Sequence, residues 1–323
     1  MATHTDFVVF FAISTALNVV SLVSGLAVVV MILVGRKQRP TMMNRVSIRF
    51  TLAISAVDAV RAVSFLIYAY NRDTGFICTL LSYSNQSLTL MYLFLTASIA
   101  ANLQLAFINH TAPKQGSLFW CVPVLAALVL PALPMAAGRL GFDPKTHTCE
   151  YKDSTSINSF MWLWATFLGW VVLSCVYCTV VVSLTTFRLK SQSAFLTNML
   201  LTKSPSKTPE QLLYLRRSIS KLAIRVSLYC MIPLATQSTH IVMRIYEYYD
   251  PIPSLFTAYL SAIPTELPGL LNLIAFLLDP AFTNTLPDKP SRQETLDPVW
   301  NCHPVHSDSD SSTSSCPLLI QRL

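Results

Sequence analysis

The segment Val8–Val34 reads VVFFAISTALNVVSLVSGLAVVVMILV, and only Gly35 separates it from the basic residues Arg36 and Lys37. It carries no charged side chain and exceeds the roughly 20 apolar residues that a helix needs to cross a bilayer. The whole chain of 323 residues shares this character, since 53% of its residues are hydrophobic and only 12% are charged. A soluble domain carries about 25% charged residues. The composition therefore predicts a helical membrane protein and argues against a soluble enzyme, a long disordered chain and a glycine-rich nucleotide-binding fold.

Seven segments of the chain are long and apolar enough to span a bilayer. We expect transmembrane helices at about Val8–Val34, Val46–Tyr70, Thr79–Ile108, Leu118–Ala137, Phe160–Phe187, Ser218–Ile245 and Pro253–Leu278. The first part of the third segment is polar between Ser82 and Ser87, which leaves a six-helix protein as the alternative. The predicted fold class is an all-α membrane protein, a seven-transmembrane helix bundle in residues 1–280. A disordered tail rich in Ser and Asp is expected at 281–323.

The distribution of basic residues predicts how the chain is oriented. No Lys or Arg precedes the first span, whereas most of the 23 Lys and Arg residues lie in alternate loops and in the tail. The positive-inside rule places those loops in the cytoplasm, so we expect the N-terminus outside and the C-terminus inside. We expect a multi-pass protein of the plasma membrane without a cleaved signal peptide. The net charge of +7 then matches the anionic inner leaflet and does not indicate nucleic-acid binding.

Two of the eight cysteines are expected on the oxidising side of the membrane. Cys78 lies at the outer end of the third span, and Cys149 lies in the long outer loop Gly138–Ser159. A disulfide between them is the simplest inference, and it would hold this loop over the mouth of the bundle. On the other side, the connection Arg188–Arg217 is expected to be a polar, basic loop. The tail cluster Ser307–Ser315 suits phosphorylation, with a merely solvated tail as the alternative.

Three ionisable residues lie at membrane depth, where each is costly and therefore a functional candidate. Asp58 is near the middle of the second span, and Arg61 follows at i+3, so that the two can pair. Glu266 lies between Pro264 and Pro268 in the seventh span, where the two prolines should kink or loosen the helix. Polar contact between helices, with no further function, is the alternative interpretation of these groups and of Asn102 in the third span.

Several residues resemble motifs of the G-protein-coupled receptor superfamily. Asp58 matches that family's acid in the second helix, Cys230-Met-Ile-Pro233 is similar to its Cys-Trp-x-Pro switch, and Asn272 followed by Asp279-Pro280 resembles the end of its seventh helix. The stretch Asn44–Arg49 looks like the fungal receptors grouped as cAMP-receptor-like and glucose-sensing receptors. The third helix ends Leu105–His110 without Asp-Arg-Tyr, so the rhodopsin-like activation details do not carry over.

The resemblance implies a receptor that senses an extracellular small-molecule or peptide ligand and activates a heterotrimeric G protein when the sixth helix moves. The expected pocket residues are Asn85, Gln86, Gln237, His240 and Glu266. The expected switch and core polar residues are Asp58, Arg61, Asn102, Cys230, Pro233, Asn272, Asp279 and Pro280. The expected G-protein-facing residues are Arg49, Asn109, His110, Arg216, Arg217, Lys221 and Arg225.

No catalytic residues and no cofactor are expected, and membrane lipid is the remaining partner. No Cys and His spacing resembles a zinc site. A sodium ion at Asp58 is one possibility, and pairing with Arg61 in place of the ion is the other. The alternative function is an ion- or proton-coupled transporter, in which Asp58, Arg61 and Glu266 would form the path.

Overall fold

The computed structural model describes residues 4–38, 46–70, 75–107, 118–143, 148–153, 156–202, 209–249 and 255–278. Within these ranges the chain is predominantly helical. Its α-helices are α1 His4–Gln38, α2 Val46–Tyr70, α3 Phe76–Phe107, α4 Leu118–Ala136, α5 Ile157–Leu163, α6 Gly169–Thr202, α7 Pro209–Tyr249, α8 Leu255–Glu266 and α9 Pro268–Leu277. A π-helical turn, Trp164–Leu168, joins α5 to α6.

Three stretches are long and apolar enough to cross a membrane by themselves, namely Val9–Gln38, Ile48–Tyr68 and Ile157–Arg188. Two shorter apolar helices, Trp120–Ala136 and Pro268–Leu277, accompany them. The outward faces carry large apolar side chains such as those of Val23, Leu125 and Leu173, all more than half exposed. So extensive an apolar surface is unfavourable in water and favourable in lipid. The helices are therefore those of a membrane protein.

Two of the predicted spans are interrupted in the structure. The fifth contains the π-helical turn, where the carbonyl of Ala165 accepts a hydrogen bond from the Trp170 indole Nε1 at 3.0 Å. The seventh divides at Leu267 into α8 and α9. Pro268 has no N–H to donate to the carbonyl of Pro264, so one helical hydrogen bond is lost at this point. The predicted loosening of the seventh span is thus a break between two helices.

The connection predicted as a loop at Arg188–Arg217 is largely helical where it is described. Helix α6 continues to Thr202, and α7 already begins at Pro209. The prediction was wrong here because it equated the end of the apolar run with the end of the helix. A helix satisfies its own backbone hydrogen bonds, so it can continue where the side chains become polar. Proline at the first helical position is common, since its missing N–H would be unpaired there anyway.

A β-hairpin lies between α4 and α5, in the segment predicted only as a long loop. Strand β1, Leu140–Asp143, pairs antiparallel with β2, Thr148–Tyr151, and Phe142 is opposite Cys149. Cys149 forms a disulfide with Cys78 near the start of α3, and their Cα atoms are 5.3 Å apart. The predicted disulfide is confirmed. The end of the molecule that carries these strands is called the hairpin end below.

Helix α3 is the centre of the helical core. It contacts α2, α4, α6 and α7, and its Leu90, Leu93 and Ile99 are buried in the largest hydrophobic cluster. At the α2–α4 contact, the rings of Phe50 and Trp120 stack with centroids 4.0 Å apart. Helix α3 is thus packed against α2 and α7, which also carry polar residues of the candidate site.

Candidate functional site

A cavity of about 90 Å³ lies directly beneath the hairpin. Its walls come from α2, α3, α5, the π-helical turn and α7, and strand β2 contributes to its lining. The polar residues that line it are Ser64, Ser82, Asn85, Gln86, Glu150, Tyr151, His240 and Arg244. Aromatic rings of Phe65, Tyr68 and Phe167 complete the lining. A partly enclosed space with several convergent polar groups is the usual character of a small-molecule site.

The hairpin is held over the cavity by contacts to several helices. The disulfide ties β2 to α3, and the backbone N–H of Cys149 donates to the hydroxyl of Tyr68 in α2 at 3.2 Å. The hydroxyl of Ser159 in α5 donates to the carbonyl of Lys152, which directly follows β2, at 2.7 Å. These contacts fix the strand that faces the cavity.

Tyr151 extends from β2 into the helical core. Its hydroxyl donates to the Gln86 amide oxygen at 3.3 Å and lies 2.9 Å from the hydroxyl of Thr166 in the π-helical turn. Burial raises the pKa of Tyr151 to about 12, so its hydroxyl remains a neutral donor at physiological pH. Tyr151 therefore links the hairpin to α3 and to the π-helical turn through one hydroxyl.

An ion pair lies at the cavity, between Glu150 of β2 and Arg244 of α7. The two side chains are 33% and 21% exposed, so the pair is partly solvated. His240 lies one turn before Arg244 on the same face of α7, and its ring packs edge-on against Phe167. One helix thus presents a guanidinium and an imidazole to the cavity, and the hairpin supplies a carboxylate.

The structure brings together three of the five residues predicted for the pocket, namely Asn85, Gln86 and His240. The other two lie elsewhere. Gln237 is buried in α7 outside the cavity lining, and Glu266 faces α1 at the end of α8. Arg244 and Glu150 were not predicted as site residues, because a charge near a span end resembles an ordinary loop charge. No local pattern connects two residues that are 94 positions apart.

A second polar cluster joins α1 and α2 to the break between α8 and α9. Asp58 accepts a hydrogen bond from the side-chain amide of Asn272, and Glu266 accepts one from the hydroxyl of Ser14. Both carboxyls are buried, and the second oxygen of each, Oδ1 of Asp58 and Oε2 of Glu266, has no hydrogen-bond partner. The cluster therefore holds two buried acids, each with only one oxygen satisfied.

Two backbone groups at this helix break form hydrogen bonds with side chains of neighbouring helices. The Arg61 guanidinium donates to the carbonyl of Thr265 in α8 at 2.8 Å, whereas the Asp58 carboxyl accepts its hydrogen bond from Asn272. The N–H of Gly269 donates to the hydroxyl of Ser21 in α1 at 3.1 Å. Unpaired backbone groups in a buried site are costly, so these two bonds explain how the break is tolerated.

The remaining predicted residues are spread over the helices. Cys230 and Pro233 are buried in α7, which continues through the proline, whereas Asn102 in α3 and Arg49 in α2 are partly exposed. Asn109, His110, Asp279 and Pro280 lie outside the described residues, as do the tail 281–323 and its Ser307–Ser315 cluster. The backbone of α7 includes Arg216, Arg217, Lys221 and Arg225, whose side chains are outside the described part of the structure.

Within the described ranges, no group of three or more His, Cys, Asp or Glu side chains is arranged to hold a metal ion.

No protein-family model matches this chain, and no curated protein sequence is significantly similar to it.

Proposed function

We propose that this protein is a G-protein-coupled-receptor-like sensor in which a ligand binds beneath the hairpin. The observation that carries the proposal is the polar cavity covered by a strand that a disulfide fastens to α3. Such an arrangement offers a small molecule a preformed site with one covered side. The proposed topology has seven spans, in which α5 and α6 form the fifth and α8 and α9 the seventh. The hairpin end is extracellular in a plasma-membrane protein.

The proposed mechanism acts through α7. Two residues of the cavity, Arg244 and His240, belong to this helix. A ligand whose contacts with them are more favourable in one conformation of α7 shifts the population toward that conformation. Pro233 lies two turns from His240 toward the opposite end of α7 and weakens the helix there. Movement of the far part of α7, which carries Lys221 and Arg225, would open a site for a heterotrimeric G protein.

Co-purification with a host G protein tests this function. Membranes are depleted of nucleotide and solubilised, the protein is captured, and a non-hydrolysable GTP analogue is added. A Gα subunit that is bound before the addition and released by the analogue supports the proposal. The double variant Lys221→Glu/Arg225→Glu should lose the Gα band, while Arg139→Glu at the hairpin end should keep it. Absence of Gα from the wild-type protein, with normal surface expression, would reject the receptor function.

One observation favours a second candidate, an ion- or proton-coupled transporter. Two buried acids and Arg61 meet at the break between α8 and α9, and broken helices with ionisable groups occur at the ion sites of transporters. A transporter should move solute without a G protein, and Glu266→Gln should abolish the coupled flux. Flux that persists in Glu266→Gln and in Asp58→Asn would exclude this path.

A further inference from the structure

The charged groups of the cavity are unevenly distributed between its walls and its cover. The helical walls contribute the guanidinium of Arg244 and the imidazole of His240, whereas the acid among the described lining residues, Glu150, belongs to the hairpin. The carboxylate of Glu150 that pairs with Arg244 therefore belongs to the hairpin and not to the helical wall. If the Glu150 side chain turns away, the helical walls form a site with positive charge and several hydrogen-bond donors.

The neighbouring polar groups complete a site for oxygen atoms. Ser82 lines the cavity and is only 4% exposed, and its hydroxyl has no hydrogen-bond partner among the described residues. A buried hydroxyl without a partner carries an energetic cost that a bound ligand would remove. Asn85 and Gln86 place two side-chain amides in the same lining. Arginine, hydroxyl and amide groups are the usual donors to carboxylate oxygens.

The geometry points to a small carboxylate as the ligand: we propose that its carboxylate replaces that of Glu150 on Arg244 while its remaining polar atoms contact Ser82 and Asn85. Arg244 already binds a carboxylate, so the ligand reproduces an interaction for which the guanidinium is positioned. This inference concerns the ligand of the proposed receptor and rests on that function for its physiological meaning, although binding itself is measured separately.

The exchange of one carboxylate for another links binding to the hairpin. Glu150 is one-third exposed, so after displacement its carboxylate is solvated and not trapped in an apolar environment. The ion pair joins β2 to α7, whereas the disulfide joins β2 to α3. Binding therefore removes the charged contact between the hairpin and α7 and leaves the covalent one to α3. Helix α7 is the element whose restraints change.

The test compares carboxylates with their amides on the purified full chain in lipid nanodiscs. The probes are sodium acetate, lactate and succinate, and acetamide, lactamide and succinamide are their neutral counterparts, with sodium chloride used to equalise ionic strength. Thermal unfolding is followed by tryptophan fluorescence at increasing probe concentration. The unfolding midpoint should rise with at least one carboxylate and remain unchanged with its amide, because ligand binding to the folded state stabilises it.

Variants on the two sides of the ion pair should change carboxylate affinity in opposite directions. Arg244→Gln should weaken binding about ten- to hundredfold, as expected for the loss of a charge-assisted hydrogen bond, and Arg244→Lys should fall between. Glu150→Gln should strengthen binding about two- to fivefold, because a partly exposed competing ion pair is removed. Arg139→Gln, which removes a positive charge outside the cavity, is the matched control and should bind like the wild type.

Three results would overturn the inference. In the first, no carboxylate raises the unfolding midpoint. In the second, a carboxylate and its amide raise the midpoint equally. In the third, both Glu150→Gln and Arg244→Gln bind the carboxylate more weakly than the wild type. The last would mean that Glu150 contacts the ligand or only supports the fold. Carboxylate binding without any Gα co-purification rejects the receptor function alone. Gα co-purification without carboxylate binding rejects this inference alone.

Discussion

Replacement of Gly269 by alanine tests the contact between α1 and the helix break. A Cβ atom at this position would lie 2.4 Å from the carbonyl oxygen of Ser21 and 2.5 Å from its hydroxyl oxygen. Real Cβ contacts are essentially never shorter than 3.0 Å, so α1 and α9 must separate by about 0.6 Å or more. The clash with the carbonyl cannot be relieved by a different rotamer of Ser21, because that oxygen belongs to the backbone of α1.

The expected cost has two parts. Overpacking of a closely fitted contact costs about 1–3 kcal/mol. Separation of the helices also stretches the hydrogen bond from the Gly269 N–H to the Ser21 hydroxyl, now 3.1 Å, and a bond of this kind contributes about 0.5–1.5 kcal/mol. Together, Gly269→Ala should destabilise the protein by about 2–4 kcal/mol. Ser21→Ala removes only the hydroxyl and should cost about 1–3 kcal/mol, since it leaves the N–H unpaired.

Thermal unfolding of the purified chain measures this effect. For large domains, each kcal/mol shifts the midpoint by about 2–4 °C, so Gly269→Ala should lower it by about 4 °C or more. Gly75→Ala is the control, because a Cβ there meets no atom within 4 Å. If Gly269→Ala and Gly75→Ala unfold at the same temperature, the close approach of α1 to α9 is not as described, and the account of the helix break fails with it.

Cys149→Ser should lower stability by about 2–4 kcal/mol, and the double variant with Cys78→Ser should cost no more than either single change; additive losses of surface expression would argue against the crosslink. Arg61→Gln removes the guanidinium hydrogen bond to the Thr265 carbonyl, so it should cost about 1.5–3 kcal/mol in denaturant unfolding, and an unchanged midpoint would contradict its role at the helix break. Because the pKa of Tyr151 is raised, its contribution to folding stability should be complete below pH 10.0, the ordinary pKa, and should be lost as the pH rises to about 12. The difference between the ultraviolet titration curves of the wild type and of Tyr151→Phe measures this pKa. Pro233→Ala should stabilise α7, since proline inside a helix costs about 3 kcal/mol, and should reduce GTP-sensitive release of Gα; a fall in surface expression would show that the proline is structural.

Most of the helices could be predicted because apolar run length depends on local composition alone. The second predicted span agrees with α2 at both ends, and the fourth agrees with α4 to within one residue. The hairpin could not be predicted in the same way. Its strands Leu140–Asp143 and Thr148–Tyr151 have four residues each, so the alternation of polar and apolar side chains in Thr148–Tyr151 covers few positions and gives only a weak strand signal. Their pairing depends on the disulfide and on the helices beneath them.

The candidate site was predictable only where a polar residue stood out within a span. Asn85 and His240 are conspicuous there, whereas the Glu150–Arg244 pair depends on how two distant elements meet. The polar face of α1 gave a signal that was overlooked. Ser14, Asn18 and Ser21 follow each other at helical spacing, and this row on an apolar helix indicates a polar neighbour. The structure provides that neighbour in the form of the helix break.

The two polar regions differ in how firmly they hold the helices that carry them. At the helix break, Ser14 and Arg61 donate hydrogen bonds to α8, and Ser21 accepts one from the Gly269 N–H of α9, so this side forms a braced frame. At the cavity, the ion pair that joins α7 to the hairpin is partly solvated, and such an interaction contributes about 1 kcal/mol or less. A ligand that displaces Glu150 has therefore little to overcome in order to release α7 from the hairpin, and much more to overcome in order to open the frame. This difference favours the receptor over the transporter, because coupled transport through Asp58 and Glu266 would require the braced side to open in every cycle.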